Sequence, residues 1–181
     1  AMLVELPRVA IESLVNQYED IKLSQVDDIM FFRPTCQSVF ISKTDTEPCP
    51  MQAPPLGVEG VDPVVAVFDG MPIQNHPLLR GRIIVDDPDD YATNYESKYR
   101  IHGTSMTSLA IYGDLNRNDL PITSPIYVRP ILRPKQVGLD SIQECVPDDK
   151  LFVDTLHRAV KRMMEGENGE DATAPNTKVI N

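Results

Sequence analysis

Apolar and polar positions divide this 181-residue chain into three stretches of different texture. In the first, Ile11, Leu14, Val15 and Tyr18 recur at i, i+3, i+4 and i+7, which predicts an amphipathic helix. Pro7 suits its first position and Glu19-Asp20 ends it. Residues 21–32 and 38–41 are rich in β-branched and apolar residues and predict two strands. Then comes a break over 44–63, where Pro48, Pro50, Pro54, Pro55 and Pro63 stand with Gly57 and Gly60. Such density favours an extended linker, because proline cannot donate to a ladder. Beyond it, residues 64–68 are continuously apolar and stop sharply at Asp69-Gly70, as a strand buried on both faces of a parallel sheet would. Residues 82–85 predict another strand, closed by the acidic turn Asp86-Asp87-Pro88-Asp89-Asp90. From Thr104, the residues Met106, Leu109 and Ala110 follow helical spacing up to Gly113, a natural stop. Residues 126–132 predict a strand in which Pro130 sits awkwardly. Over 149–164, Phe152, Leu156, Ala159, Val160 and Met163 form one helical stripe, with Asp148 or Asp149 placed to cap it. A polar loop over 166–176 leads to a last strand at 178–180. The alternation of strand and helix after residue 63 predicts α/β architecture. The organisation expected is an N-terminal α+β segment over 1–45, a Pro-rich linker over 46–62 and an α/β unit over 63–181. No internal repeat is visible.

Composition narrows the field. A hydrophobic fraction of 41% allows a sizeable core. Twenty-seven acidic against 17 basic residues give a formal net charge of -10, which argues against a nucleic-acid partner, since phosphates need a cationic face. Cys36, Cys49 and Cys145 form no CxxC pair, so neither a zinc site nor a thioredoxin-type motif is written here. Their odd number, with no basic-then-apolar leader and no apolar run near the roughly 20 residues of a membrane span, points to a reduced, cytoplasmic setting without a membrane partner. Ala1-Met2 reads as an addition ahead of the native chain.

Two short stretches carry chemistry. Asp69 closes a buried strand, at the sheet end where α/β proteins place their sites. His102-Gly103-Thr104 opens a helix, and a helix N-terminus disfavours an imidazolium, so this histidine needs a carboxylate before it can take up a proton. Asp69 is placed to supply it, fixing the tautomer and stabilising the cation. Each residue also has a plainer reading. Asp69-Gly70 alone can be a turn, His76 a loop hydrogen bonder, and His157 a surface residue of its helix. Tyr91, Tyr95 and Tyr99, four residues apart, read as a packing stripe, and Ser105, Ser108 and Cys145 carry no argument for nucleophile status. Asp86, Asp87, Asp89 and Asp90 read as a solvated turn, without the regular ligand spacing of a calcium loop.

The ordered set Phe68-Asp69-Gly70, Asn75-His76-Pro77-Leu78, Gly81-Arg82 and His102-Gly103-Thr104 resembles the subtilisin-like serine proteases (subtilases). Residues 128–132 are similar to that family's next strand, and Val179-Ile180-Asn181 to the start of the strand before its substrate-binding segment. The resemblance covers about 63–181 and implies an incomplete subtilisin-like parallel sheet with flanking helices. It implies a serine endopeptidase in which Asp69 and His102 are catalytic. The family's Gly-Thr-Ser-x-Ala-x-Pro nucleophile motif and oxyanion-hole Asn do not occur in these 181 residues, so the fragment is expected to be inactive alone. Its partners would be a peptide or protein substrate and the remainder of its own protease domain. No cofactor is implied, although some subtilase loops bind structural calcium and the Asp86–Asp90 run is the place for it. Residues 1–45 resemble either the end of a subtilase propeptide or an accessory domain. Gly70 departs from the Thr or Ser usual after the catalytic Asp, and Ser105-Met106-Thr107-Ser108 departs from the usual start of the helix. Two other classes compete. One is a phosphatase-like fold with Asp69 as nucleophile, disfavoured because Met71 stands where a second Asp is needed. The other is a non-catalytic pseudoprotease or binding module on the same fold.

Overall fold

Strands β1 (Val65–Asp69), β2 (Ile83–Val85), β3 (Ile126–Pro130) and β6 (Val179–Ile180) form one parallel sheet in the order β2-β3-β1-β6. The computed structural model describes residues 6–16, 60–115, 117, 120–137 and 141–181. The strands expected over 21–32 and 38–41, and nearly all of the 46–62 linker, lie outside the described residues. Helix α1 (Arg8–Asn16) carries Ile11, Leu14 and Val15 of the predicted stripe and has no buried residue among those described, while Tyr18 and the expected end at Glu19-Asp20 lie outside the described residues.

The central strands are buried on both faces, which is why they read as unbroken apolar runs. Side chains alternate between the faces. Ala66, Phe68 and Tyr127 pack against Ala159 and Met163 of helix α3 (Phe152–Glu165). Val67, Ile126 and Val128 pack against Ile111 and Tyr112 of helix α2 (Ile101–Tyr112). The fold is therefore a mixed α/β unit with a helix on each face of the sheet. Phe68 and Tyr127 meet edge to face with ring centroids 6.5 Å apart, and each large side chain buried in this way contributes about 1.5–3 kcal/mol.

Pro130 is accommodated because the strand ends there. Ile126 N donates to Arg82 O and Asp86 N to Val128 O, so the even-numbered residues of β3 turn their backbone toward β2. The nitrogen of Pro130 falls past the last residue of β2, and the Asp86 carbonyl it would have met accepts Arg129 Nη1 at 3.2 Å instead. The strand stops two residues short of the 126–132 expected from its apolar run. Ile131 N and Leu132 N then both bond the Asp69 carbonyl, turning the chain over the end of β1.

Four further expectations are corrected. Helix α2 begins at Ile101, just ahead of His102-Gly103-Thr104 and one turn before the apolar spacing from Thr104, because the first part of its buried face carries the small residues Gly103, Thr107 and Ser108 and only its end carries Ile111 and Tyr112; Leu109 is exposed. Helix α3 is capped by the backbone at Leu151 and not by Asp148 or Asp149. Phe152 is 53% exposed, and Arg162 takes a place on the buried face. Finally, an antiparallel hairpin of β4 (Arg133–Val137) and β5 (Ser141–Cys145) stands where no regular element was expected. Proline at position 134 and the lack of a clean two-residue alternation hide it. Gly113, by contrast, ends α2 as expected, with φ 64° and its N–H on Leu109 O.

Candidate active site

Asp69 is the last residue of β1 and shares the face of Val65 and Val67, the face that α2 covers. His102 lies in the first turn of α2. The two meet: His102 Nδ1 is 2.5 Å from Asp69 Oδ1, and with Nδ1–H donating, the other ring nitrogen, Nε2, is the one that exchanges a proton with a reacting group. Gly70 N donates to the same carboxylate oxygen at 2.6 Å. An ionised acceptor makes such bonds short and strong.

The sequence predicts this pair at the C-terminal edge of the sheet, side by side and facing solvent. The place is as expected, at the C-terminal end of the parallel strands, but the exposure is not: the side chains retain 12% (Asp69) and 17% (His102) of their accessible surface. The Gly70 turn, the aromatic segment after β2 and the hairpin crowd around them.

Gly103 and Thr104 explain why glycine and threonine follow His102. A Cβ at Gly103 would lie 2.2 Å from Gly70 O and 2.6 Å from its carbonyl carbon, so only glycine lets α2 approach the turn after Asp69 this closely. Thr104 Oγ1 accepts Ile73 N–H at 2.9 Å and donates to Arg100 O at 2.5 Å, tying the loop after β1 to the start of the helix. The three residues together bring the imidazole to the carboxylate.

Two groups near the pair were not singled out for chemistry. Glu144 of β5 reaches under Gly70, whose missing Cβ would lie 2.0 Å from Glu144 Oε1 and 2.6 Å from Tyr95 Oη. Both oxygens are buried without a hydrogen-bond partner. Burial and the Asp69 carboxylate push the Glu144 carboxyl up to about 8, and the His102 backbone N–H pulls it back only in part. A lone glutamate in an unrecognised hairpin gives no sequence signal. Tyr95 lies in the stripe read as packing, and with Tyr91 and Met71 it does form a buried cluster.

The remaining candidates sit elsewhere. His76 Nδ1 accepts Leu78 N–H within its loop, at 3.3 Å. His157 and Ser105 are exposed, Ser108 is buried, and Cys145 is a buried free thiol. The acidic run is not a solvated turn. Asp86 accepts Arg162 and the Tyr127 hydroxyl, Asp89 accepts Arg129 and Arg158, and Asp87 caps the backbone of Tyr91 and Ala92. The carboxylates of Asp86, Asp87 and Asp89 are thus committed, while Asp90 is exposed and accepts the Thr93 hydroxyl; among the described residues no group of three His, Cys, Asp or Glu is placed to hold a metal ion. A cleft of about 350 Å³ lies between the hairpin and the Tyr91 segment, lined by Asp89, Tyr91, Arg133, Lys135, Cys145 and Asp148 among others. Neither Asp69 nor His102 lines it. No helix of the described residues is long and apolar enough to cross a membrane. Comparison of the chain with protein-family models, curated proteins and solved structures found no match.

Proposed function

We propose that this chain carries the Asp–His half of a subtilisin-type serine endopeptidase site, with Asp69 and His102 in the roles that the family resemblance gives them. The observation that carries the reading is the 2.5 Å contact between a carboxylate at the end of a parallel strand and an imidazole in the first turn of the next helix. In this reading Nε2 of His102 takes the proton of a serine hydroxyl as that oxygen attacks the scissile carbonyl. It then gives the proton to the leaving amine. The helix N-terminus opposes the positive charge formed on the ring, and Asp69 offsets that opposition. The nucleophile and the oxyanion donor come from a segment outside these residues, packed as the remainder of the same domain. The substrate is a peptide bond of a peptide or protein.

The test joins this chain to a downstream Gly-Thr-Ser segment and assays one peptide substrate throughout. Asp69→Asn is expected to lower kcat by about 10⁴, the order set by losing the correct tautomer, and His102→Ala by a similar factor. The 181 residues alone are expected to give no turnover and no labelling by a serine-directed phosphonate. Without the oxyanion donor a further factor of about 10²–10³ is missing. Labelling at Ser105 or another serine of this chain would show that the nucleophile is misassigned. A folded, joined protein without turnover would favour a pseudoprotease that only binds.

A further inference from the structure

The Asp69–His102 pair accounts for two of the three acid–base groups packed at the end of β1. The third, Glu144, has no part in the reading above. Its position is not that of a surface glutamate. It enters from β5, opposite Pro134 in the hairpin ladder, so no cross-strand cation balances it. Its Oε1 occupies the space where any side chain at position 70 would begin. Among the described residues, the charged and titratable groups that face it are Asp69 on β1, His102 on α2 and Tyr95 in the segment before α2. Arg100 is turned to the Tyr95 ring and to the carbonyls of Tyr95 and Ala92.

We propose that Glu144 is a positioning residue of the Asp69–His102 site, its carboxyl bracing the Gly70 turn and the first turn of α2 and setting the charge that the pair must balance. The proposal rests on the reading of Asp69 and His102 as a working pair. Three observations converge on it. Gly70 stands directly after Asp69, and the glutamate fills the room that a serine or threonine there would take. The His102 backbone N–H is directed at the Glu144 carboxyl, so the glutamate holds the residue that carries the imidazole. Oε1 and the Tyr95 hydroxyl are both buried and unpartnered around one point, a costly arrangement for an ionised carboxylate and a tolerable one for a neutral acid that can donate. Beside an ionised Asp69, the neutral form is also the one that avoids repulsion between like charges. When Glu144 loses its proton, a second negative charge is added beside Asp69 and the first turn of α2. The site therefore has two electrostatic settings, selected by one buried acid.

The experiment follows the ring signals of His102 by NMR in the 181-residue chain, with His76 and His157 as internal references. In the wild-type chain the His102 signals are expected to shift near pH 8 as Glu144 ionises beside them. In Glu144→Gln that shift is lost. Should the glutamine variant not fold, Gly70→Ala serves instead. Its Cβ displaces the carboxyl, and the shift is expected to move from pH 8 toward the ordinary carboxylate range. A wild-type titration without movement near pH 8 overturns the proposal, and so does a step there that survives Glu144→Gln. A glutamate that only filled space would leave the pH dependence of the His102 signals near pH 8 unchanged on substitution by its isostere. The readout needs no turnover, so an inactive joined protein and a silent Glu144 are separate results: the first removes the peptidase reading, the second only this one.

Discussion

At the scale of single residues, the site depends on the absence of side chains as much as on their chemistry. Gly103 shows this most directly, since its surroundings are the backbone carbonyl of Gly70 and not the flexible end of a side chain. Gly103→Ala must push α2 away from the turn after Asp69. Overpacking of this kind costs about 1–3 kcal/mol, and here it also separates His102 from Asp69. The expected outcome is a lower urea midpoint together with a His102 Nδ1–H resonance that loses its hydrogen-bonded shift. A variant with wild-type stability and an unchanged resonance would mean that α2 does not approach as closely as described. Asp69 and His102 were legible in the sequence because each stands at a boundary: an apolar run that stops, and a His-Gly-Thr that starts a helix. The period of two in β1 then determines that Asp69 faces α2, and a slip of one residue would turn it to α3. Glu144 was not legible, because it joins the site through a tertiary approach with no local pattern to announce it. Its burial is a property of the folded chain alone.

At the scale of elements, the acidic stretch after β2 is the joint between the sheet and α3. Burial alone would raise the Asp86 carboxyl, but the Arg162 hydrogen bonds, the Tyr127 hydroxyl and the Arg129 charge hold it below the usual range. Asp89 is likewise held down, with Arg158, Arg129 and Lys150 outweighing its burial. Arg162 bonds both Asp86 oxygens, at 2.9 and 3.1 Å through Nε, and also reaches Glu170. This explains how a helix can bury an arginine in its apolar stripe. Asp86→Ala removes the partner that neutralises it and is expected to cost about 3 kcal/mol, the low end for breaking a buried pair, because Glu167 and Glu170 remain. A urea midpoint within error of wild type would show that the pair contributes nothing net. The sequence displayed the aspartates as a run and the arginines as polar breaks in a stripe. Their pairing spans 76 residues, from 86 to 162, and nothing in either segment alone specifies it. The β4–β5 hairpin was hidden for a related reason: its strands are as long as β1 and β3 but lie apart from the main sheet, so neither carries the continuous apolar run that marked those two.

At the scale of the whole molecule, these buried acids give stability a direction in pH. The folded state holds Asp86 and Asp89 below their ordinary 3.8, so their contribution is present above that value and is lost as the pH falls through the lower, folded one. Glu144 acts with the opposite sign. Its folded value of about 8 lies above its ordinary 4.5, so the folded state binds the extra proton across that interval. Stability associated with Glu144 is complete below pH 4.5 and is lost as the pH rises toward 8. The formal net charge of -10 at pH 7 works in the same sense, since self-repulsion grows as carboxylates ionise. The chain is therefore expected to melt at a higher temperature at pH 5 than at pH 8, the reverse of a protein whose paired carboxylates dominate. Comparing the two pH values in wild type and Glu144→Gln separates the contributions. The variant should keep the part due to net charge and lose the part due to the buried acid, so its difference in Tm should be smaller. Added salt should shrink the remaining difference in both chains, because it screens surface repulsion but not a carboxyl buried beneath Gly70. Equal melting temperatures at pH 5 and pH 8 in the wild-type chain would mean that Glu144 is already ionised in the folded state, with a cation or water satisfying it. The same acid that tunes His102 would then have no free energy with which to do so.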